Sequence, residues 1–157
     1  TELVFRKLRC EDIVHIHVLE QRYFADSFKL AHSFTNFIYD SRFSFVCERK
    51  GRIVGAIRAE KWKSKAAIDA LCVEQMFSNR GIGRRLLEQC IESIKEHERS
   101  VNITLMVSEN NKIAKRLYED VGFEVQKFEH GAYFDGSGGF VMVWKGWPAK
   151  NSTANFR

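Results

Sequence analysis

One proline, Pro148, is all that interrupts 157 residues, so nothing before it forbids regular helices and strands on that account. The four cysteines, Cys10, Cys47, Cys72 and Cys90, stand far apart. They form no Cys-x-x-Cys pair and have no histidine at metal-ligand spacing, so neither a zinc knuckle nor a disulfide scaffold is expected. Thiols used this sparingly fit a reducing compartment, and a cytoplasmic location is expected. No apolar run approaches the roughly 20 residues that span a bilayer, and the start TELVFRKLRC lacks the apolar segment of a signal peptide. No membrane partner is expected, and the sequons at Asn102 and Asn151 carry no weight without a secretory route. Internal repeats and low-complexity blocks are absent too.

What is present is ordinary globular material. Apolar residues make up 45% and charged residues 29%, which is enough for a core and excludes wholesale disorder. The length suits a single domain, expected over 1–147, with a polar tail over 148–157. Lys and Arg exceed Asp and Glu by 25 − 20 = +5, a basic balance that suits a polyanionic ligand. No aromatic-basic motif accompanies that charge, so nucleic acid is not expected.

Periodicity sets the order of elements. Residues 3–8 alternate as a half-buried strand does, and Asp12 is expected to cap a helix carrying Ile13, Ile16, His17 and Glu20. A second helix is expected over 26–39. Runs rich in β-branched and aromatic residues at 42–47 and 53–62, parted by Lys50-Gly51-Arg52, predict an antiparallel hairpin. A strand over 67–73 leads into Ser78-Asn79-Arg80-Gly81-Ile82-Gly83. Ile82, Leu86, Cys90 and Ile94 then form one apolar helix stripe with Leu87 and Ile91. A strand over 101–107 precedes a second stripe, Ile113, Leu117 and Val121, with Gly122 placed for a left-handed cap. Residues 123–128 and 140–144 read as a closing strand pair. The order βααβββαβαββ predicts an α/β (mixed α+β) chain with helices on the faces of a mixed sheet.

The segment 71–94 carries the strongest local signal. A helix start exposes free N–H groups and a partial positive charge, both suited to phosphate, and glycine allows close approach. Arg84 and Arg85 lie in the first turn, where the helix dipole disfavours cations. Glu96 and Glu98 lie near the end, where it disfavours anions. An anionic ligand at the start explains the first inversion; a tight turn with solvated arginines is the alternative. The Walker and Rossmann patterns both fail, since no Gly-Lys-Ser/Thr follows and Leu86 stands where a third glycine would be.

Leu71-Cys72-Val73, then Arg80-Gly81-Ile82-Gly83-Arg84-Arg85-Leu86-Leu87, then Asn111, Ala114, Leu117, Tyr118, Gly122 and Phe123 in the spacing N-x-x-A-x-x-L-Y-x-x-x-G-F, resemble the GCN5-related N-acetyltransferases, the GNAT superfamily. The resemblance is sharp over 71–123 and agrees in element order over 3–144. It implies the GNAT fold: a central, mixed, mostly antiparallel twisted sheet of about six or seven strands with helices on both faces. It implies an acyltransferase that moves the acetyl group of acetyl-CoA directly to a primary amine in a ternary complex. The acceptor would be a protein N-terminus or lysine, or a small amine or polyamine. No metal is implied, and a monomer or homodimer is expected. A non-catalytic acetyl-CoA-binding sensor or interaction module is the alternative, because Ser78 and Met106 both depart from the family pattern.

The cofactor contacts that the resemblance implies are Leu71, Cys72, Val73, Ser78, Asn79, Arg80, Gly81, Ile82, Gly83, Arg84, Asn111 and Tyr118. Ser78 stands where the family's phosphate loop carries Gln or Arg, and Arg80 or Arg84 is expected to compensate. The strand bearing 71–73 is expected to part from the one bearing 105–107, leaving a gap for the pantetheine arm. The reaction needs an acceptor for the amine's proton, donors for the developing oxyanion and an acid for the departing thiolate. Tyr118 matches the family's acid, with a plain core aromatic as the alternative; the Val73 N–H is the oxyanion candidate. Asn111 is expected to cap the following helix and to bond the cofactor arm.

Asp69 shares strand parity with Leu71 and Val73 and is the first candidate for the base, unless a bulge flips that parity. Glu74, Glu60 and a water relay stand beside it, and Met106 fills a position where several related enzymes carry Glu or His. Cys72 alternates to the face opposite Val73 and takes no covalent role. The five histidines, His15, His17, His32, His97 and His130, read as solvated or core residues. The aromatic cluster Tyr23, Phe24, Phe28, Phe34 and Phe37 falls in the family's acceptor wall, and Tyr133-Phe134-Asp135-Gly136 resembles its acceptor-facing loop. Phe24 and Tyr133 are therefore the acceptor-binding candidates.

Overall fold

The computed structural model describes residues 2–24 and 39–149. Its strands are β1 (Leu3–Lys7), β2 (Phe45–Arg49), β3 (Arg52–Trp62), β4 (Lys65–Val73), β5 (Asn102–Ser108), β6 (Phe123–Glu129) and β7 (Gly139–Trp144). They form one sheet in the order β1-β2-β3-β4-β5-β7-β6. Every neighbouring pair is antiparallel except β4 with β5. The helices are α1 (Ile13–Phe24), α2 (Ile82–His97) and α3 (Lys112–Val121). The sheet type and the element order are those read from the sequence, while the expected helix over 26–39 lies, but for Tyr39, outside the described residues.

Lys50 (φ 51°) and Gly51 (φ 74°) both adopt left-handed backbone, so the β2–β3 hairpin closes on a two-residue turn whose twist matches its strands. Strand β2 begins at Phe45 rather than 42. Asp40 captures the Arg42 N–H and guanidinium, and its carbonyl accepts from the Phe43 N–H, so the chain is still turning there.

Helix α2 lays Ile82, Leu86, Leu87, Cys90, Ile91 and Ile94 on one face of the sheet, all buried against Ile57, Ala59, Ile68, Ile103 and Leu105. Each fully buried aliphatic side chain contributes roughly 1.5–3 kcal/mol of transfer free energy. Helix α1 covers the opposite face, where Ile16 packs with Leu8, Val46 and Ala56. Asp12 does not cap α1 as expected. It sits in a preceding 3-10 turn and accepts from the Arg9 N–H at 2.7 Å and the Arg6 guanidinium at 2.8 Å, tying that turn to β1.

Helix α3 departs from the expected stripe as well. Ile113 is 84% exposed, and the buried side of this ten-residue helix runs through Tyr118 and Val121. Gly122 ends the helix at φ 116°, and a Cβ there would overlap the Gly146 carbonyl oxygen, so glycine is required twice over.

Candidate active site

The single parallel pairing positions the site. β4 and β5 are bonded only from Lys65↔Asn102 to Ile68↔Leu105, after which the strands part. Beyond that point β4 is still paired with β3. The Glu74 N–H donates to the Val54 carbonyl at 2.8 Å, and bonded and non-bonded pairs alternate in antiparallel strands. Ala56↔Cys72 is thus a bonded pair, whereas Ile57↔Leu71 and Gly55↔Val73 are not. The N–H and C=O groups of Leu71 and Val73 therefore face the gap. Those of Cys72 face β3, and its thiol approaches the Leu19 carbonyl of α1 at 3.8 Å. Cys72 is corrected accordingly: neither its thiol nor its backbone polar groups point to the gap.

A cavity of about 280 Å³ fills the opening, lined by Asp69, Leu71, Met106, Ser108, Asn111, Tyr118, Tyr133 and Asp135 among others. Four residues expected from sequence to share a site, Asp69, Leu71, Asn111 and Tyr118, thus meet, together with Tyr133. Asp69 reaches the cavity for a reason other than alternation. The register slips between Arg58↔Ala70 and Ala59↔Ile68, so Asp69 is the extra residue of a β-bulge. Parity with Leu71 fails, and it is the bulge that re-aims the carboxyl. Burial, then the neighbouring Glu60 carboxyl, pushes Asp69 up to about 8, and its Oδ2 is buried with no partner among the described residues.

Tyr118 is 7% exposed and stacks edge-on to Phe123 at 6.0 Å. Burial raises its hydroxyl pKa further, so the proton stays on at neutral pH. Asn111 caps α3 as expected, its Oδ1 accepting from the Ala114 N–H at 3.1 Å. The loop after β6 forms a tight turn in which Asp135 accepts from the Ser137 N–H and hydroxyl. Glu109, just past β5, accepts from the Gly138 N–H and so binds that loop to the start of α3. Burial raises the Tyr133 phenol to about 12.

The turn 78–84 and Val73 lie outside the cavity, beyond its Leu71 wall. Asn79 (φ 64°) and Gly81 (φ 76°) are both left-handed, and Gly81 caps α2 with no side-chain acceptor. The first helical bond runs from the Arg85 N–H to the Gly81 carbonyl, so the N–H groups of Ile82, Gly83 and Arg84 are left for a ligand. Arg80 lies over the Phe77 ring at 5.2 Å, and Arg84 pairs with Glu88 at 3.6 Å. Ser78 is corrected: its hydroxyl donates to the Gln75 carbonyl at 2.7 Å and closes the 3-10 turn instead of facing the phosphate site. The last turn of α2 carries Lys95 and His97 beside Glu96, so the expected charge inversion there is largely offset.

Glu74 drops out as a base. It is buried, accepts from Arg22 at 2.6 Å and from the Tyr23 hydroxyl at 3.0 Å, and stands 3.5 Å from Arg52. No described histidine lines the cavity. The Phe24 side chain, Phe28, Phe34 and Phe37 lie outside the described residues. The sequence reading missed the partner of Glu20: Arg58, in the apolar run VGAIRAE, meets it behind Asp69. An arginine in mid-strand and a glutamate on an apolar helix stripe were the available signal.

Residues 10–123 match the acetyltransferase (GNAT) family. An uncharacterized N-acetyltransferase of Chlorobaculum tepidum is 30% identical over 118 residues, 74% of this chain and 75% of that protein. Another, from Methanocaldococcus jannaschii, is 34% identical over 94 residues, 55% of this chain; the match spans only 41% of that longer relative. The ribosomal-protein-S18-alanine N-acetyltransferase from Escherichia coli shares the fold at a TM-score of 0.78 with 20% identity, over 96% of this chain and 98% of that one. The chain belongs to the GNAT family of acetyltransferases, enzymes that use acetyl-CoA as donor.

Proposed function

We propose that this chain acetylates a primary amine from acetyl-CoA and that the α-amine of a peptide is the acceptor its site suits best. The observation that carries the reading is the convergence of Tyr118, Asp69 and the free edge of β4 on one cavity. Acetyl-CoA supplies the activated acetyl thioester.

The residues present fit that donor. The uncapped N–H groups at the start of α2 would hold its phosphates, and the gap-facing backbone of Leu71 and Val73 with the Asn111 amide would hold its arm. The Val73 N–H, the gap-facing donor next past Leu71, would meet the negative charge that develops on the thioester oxygen. Asp69, in the ionised form that gains ground as the pH approaches 8, takes a proton from the amine, and Tyr118, kept protonated by burial, gives one to the departing sulfur. An α-amine, with a pKa near 7.7–8.0, gives up its proton near neutral pH far more readily than a lysine near 10.4 and so asks less of the base. The Escherichia coli structural neighbour is itself named for acetylating an alanine of a ribosomal protein.

The test is thiol release with three acceptors: a lysine-free peptide with an open N-terminus, an N-blocked peptide with one lysine, and spermidine. The open peptide should be fastest. Faster turnover of lysine or spermidine moves the acceptor class, and no release above hydrolysis with any amine points to a binding module.

A further inference from the structure

Glu74 is a buried acid that no step above uses, 8% exposed and set directly after Val73 at the end of β4. Its backbone is fixed, since its N–H donates to the Val54 carbonyl at 2.8 Å. Its carboxylate is matched by Arg22 of α1 at 2.6 Å and by Arg52 of β3 at 3.5 Å, so charge does not call for a third partner. It has one nonetheless. Oε2 accepts from the Tyr23 hydroxyl at 3.0 Å, and the same hydroxyl accepts from the Gln75 N–H at 2.9 Å.

Tyr23 is where this network meets the site. Among the described residues that line the cavity it is the only one from α1, and it shares that lining with Asp69, Ala70 and Leu71 of β4. A phenol has a single proton to give, and here it is spent on Glu74, while a lone pair is taken by Gln75. The hydroxyl is therefore no proton donor to the reaction, and what Tyr23 offers the cavity is its ring. We propose that Glu74 is a positioning residue: through the Tyr23 hydroxyl it holds that ring as the α1 wall of the acceptor site and ties the wall to the end of the strand that takes the donor. This rests on the reading that a peptide amine enters this cavity.

The gain is pre-organisation. A tyrosine anchored only at its backbone can swing, whereas bonds at its far end leave the ring one orientation before the acceptor arrives, so less ordering remains to be done on binding. Both partners of the hydroxyl lie in one stretch, and Gln75 opens the 3-10 turn (Gln75–Phe77) that leads to the phosphate turn. The helix itself does not depend on the phenol. Arg22 still joins α1 to Glu74, and Glu20 still joins it to Arg58, when the hydroxyl is removed. Loss of the hydroxyl therefore frees the ring without releasing the helix that carries it.

The experiment is steady-state kinetics on the full chain with the open-N-terminus peptide, beside calorimetry of CoA, for Tyr23→Phe, Glu74→Ala, Glu74→Gln and the double variant of the first two. Tyr23→Phe should raise KM for the peptide roughly three- to tenfold, the scale on which a lost hydrogen bond acts, with kcat far less affected and the Kd of CoA unchanged. Glu74→Ala should raise it comparably, and the double variant no further than either. Glu74→Gln, whose amide oxygen still accepts the phenol proton, should fall nearer the parent. An unmoved peptide KM in Tyr23→Phe overturns the proposal even if the Glu74 variants fail to fold. So do effects of the two substitutions that multiply, or a CoA affinity that weakens in step with the peptide's. If lysine or spermidine is the better acceptor and its KM follows the same pattern, the acceptor class moves and the positioning role stands. A parent that releases no thiol with any amine ends the proposed function, and this role with it.

Discussion

Arg58 grips Glu20 through two parallel bonds, Nε to Oε2 at 2.6 Å and Nη2 to Oε1 at 2.9 Å, with the side chains 3% and 1% exposed. The pair clamps α1 to β3 directly behind the bulge. Arg58→Met alone strands a buried carboxylate and should destabilise the fold by about 3–5 kcal/mol. The double variant Arg58→Met with Glu20→Met should recover most of that loss. Urea unfolding of the three proteins checks both statements.

Gly83→Ala separates the phosphate site from the fold. A Cβ at Gly83 would meet Leu117 Cδ2 at 3.5 Å and Val73 Cγ2 at 3.8 Å, ordinary contacts that alanine tolerates. Replacing a helical glycine should leave stability equal or raise it by up to about 1 kcal/mol. The same methyl crowds the free N–H groups, so calorimetry should show CoA binding weakened by roughly tenfold, about 1.4 kcal/mol. Unchanged affinity would place the phosphates elsewhere.

Tyr118→Phe keeps the ring against Phe123 and removes only the hydroxyl. Turnover should fall on the order of 10 to 100-fold while KM for acetyl-CoA barely moves. Steady-state kinetics at saturating acceptor decides the matter; equal kcat would make Tyr118 a packing residue.

Asp69 also ties stability to pH. Its folded pKa is raised, by burial first and Glu60 second, so between about pH 4 and about 8 the folded chain holds a proton that the unfolded chain has released. Stability should therefore fall as pH rises through that window. Asp69→Asn has no such proton and should show a flatter melting-temperature profile, with its advantage over the parent greatest near the alkaline end. A parent Tm that rises over that interval while the variant's stays level would contradict the assignment.

Much of this was legible beforehand. The α2 stripe, the Lys50-Gly51 hairpin and the Gly122 cap follow from local chemistry that neighbours in sequence share. Tyr118 and Asn111 were legible through a spaced motif. What sequence alone could not yield depends on residues far apart in the chain. The Asp69 bulge is a mismatch with β3, and Ser78 finds Gln75 only once the 3-10 turn forms. Glu20 meets Arg58 across 38 positions. Ile113 misled because apolar spacing fixes a stripe but not which edge of it the sheet covers.

The parting of β4 from β5 has a consequence for amide exchange. β4 lies in the middle of the sheet, where protection is usually greatest. Yet Leu71 and Val73 turn their N–H groups to an open gap, while Cys72 between them is bonded to β3. Deuterium should enter this strand in alternation, fast at Leu71, slow at Cys72 and fast at Val73, like an edge strand set inside a sheet. A donor lying along the gap would even out the three, giving a residue-level record of occupancy that needs no turnover.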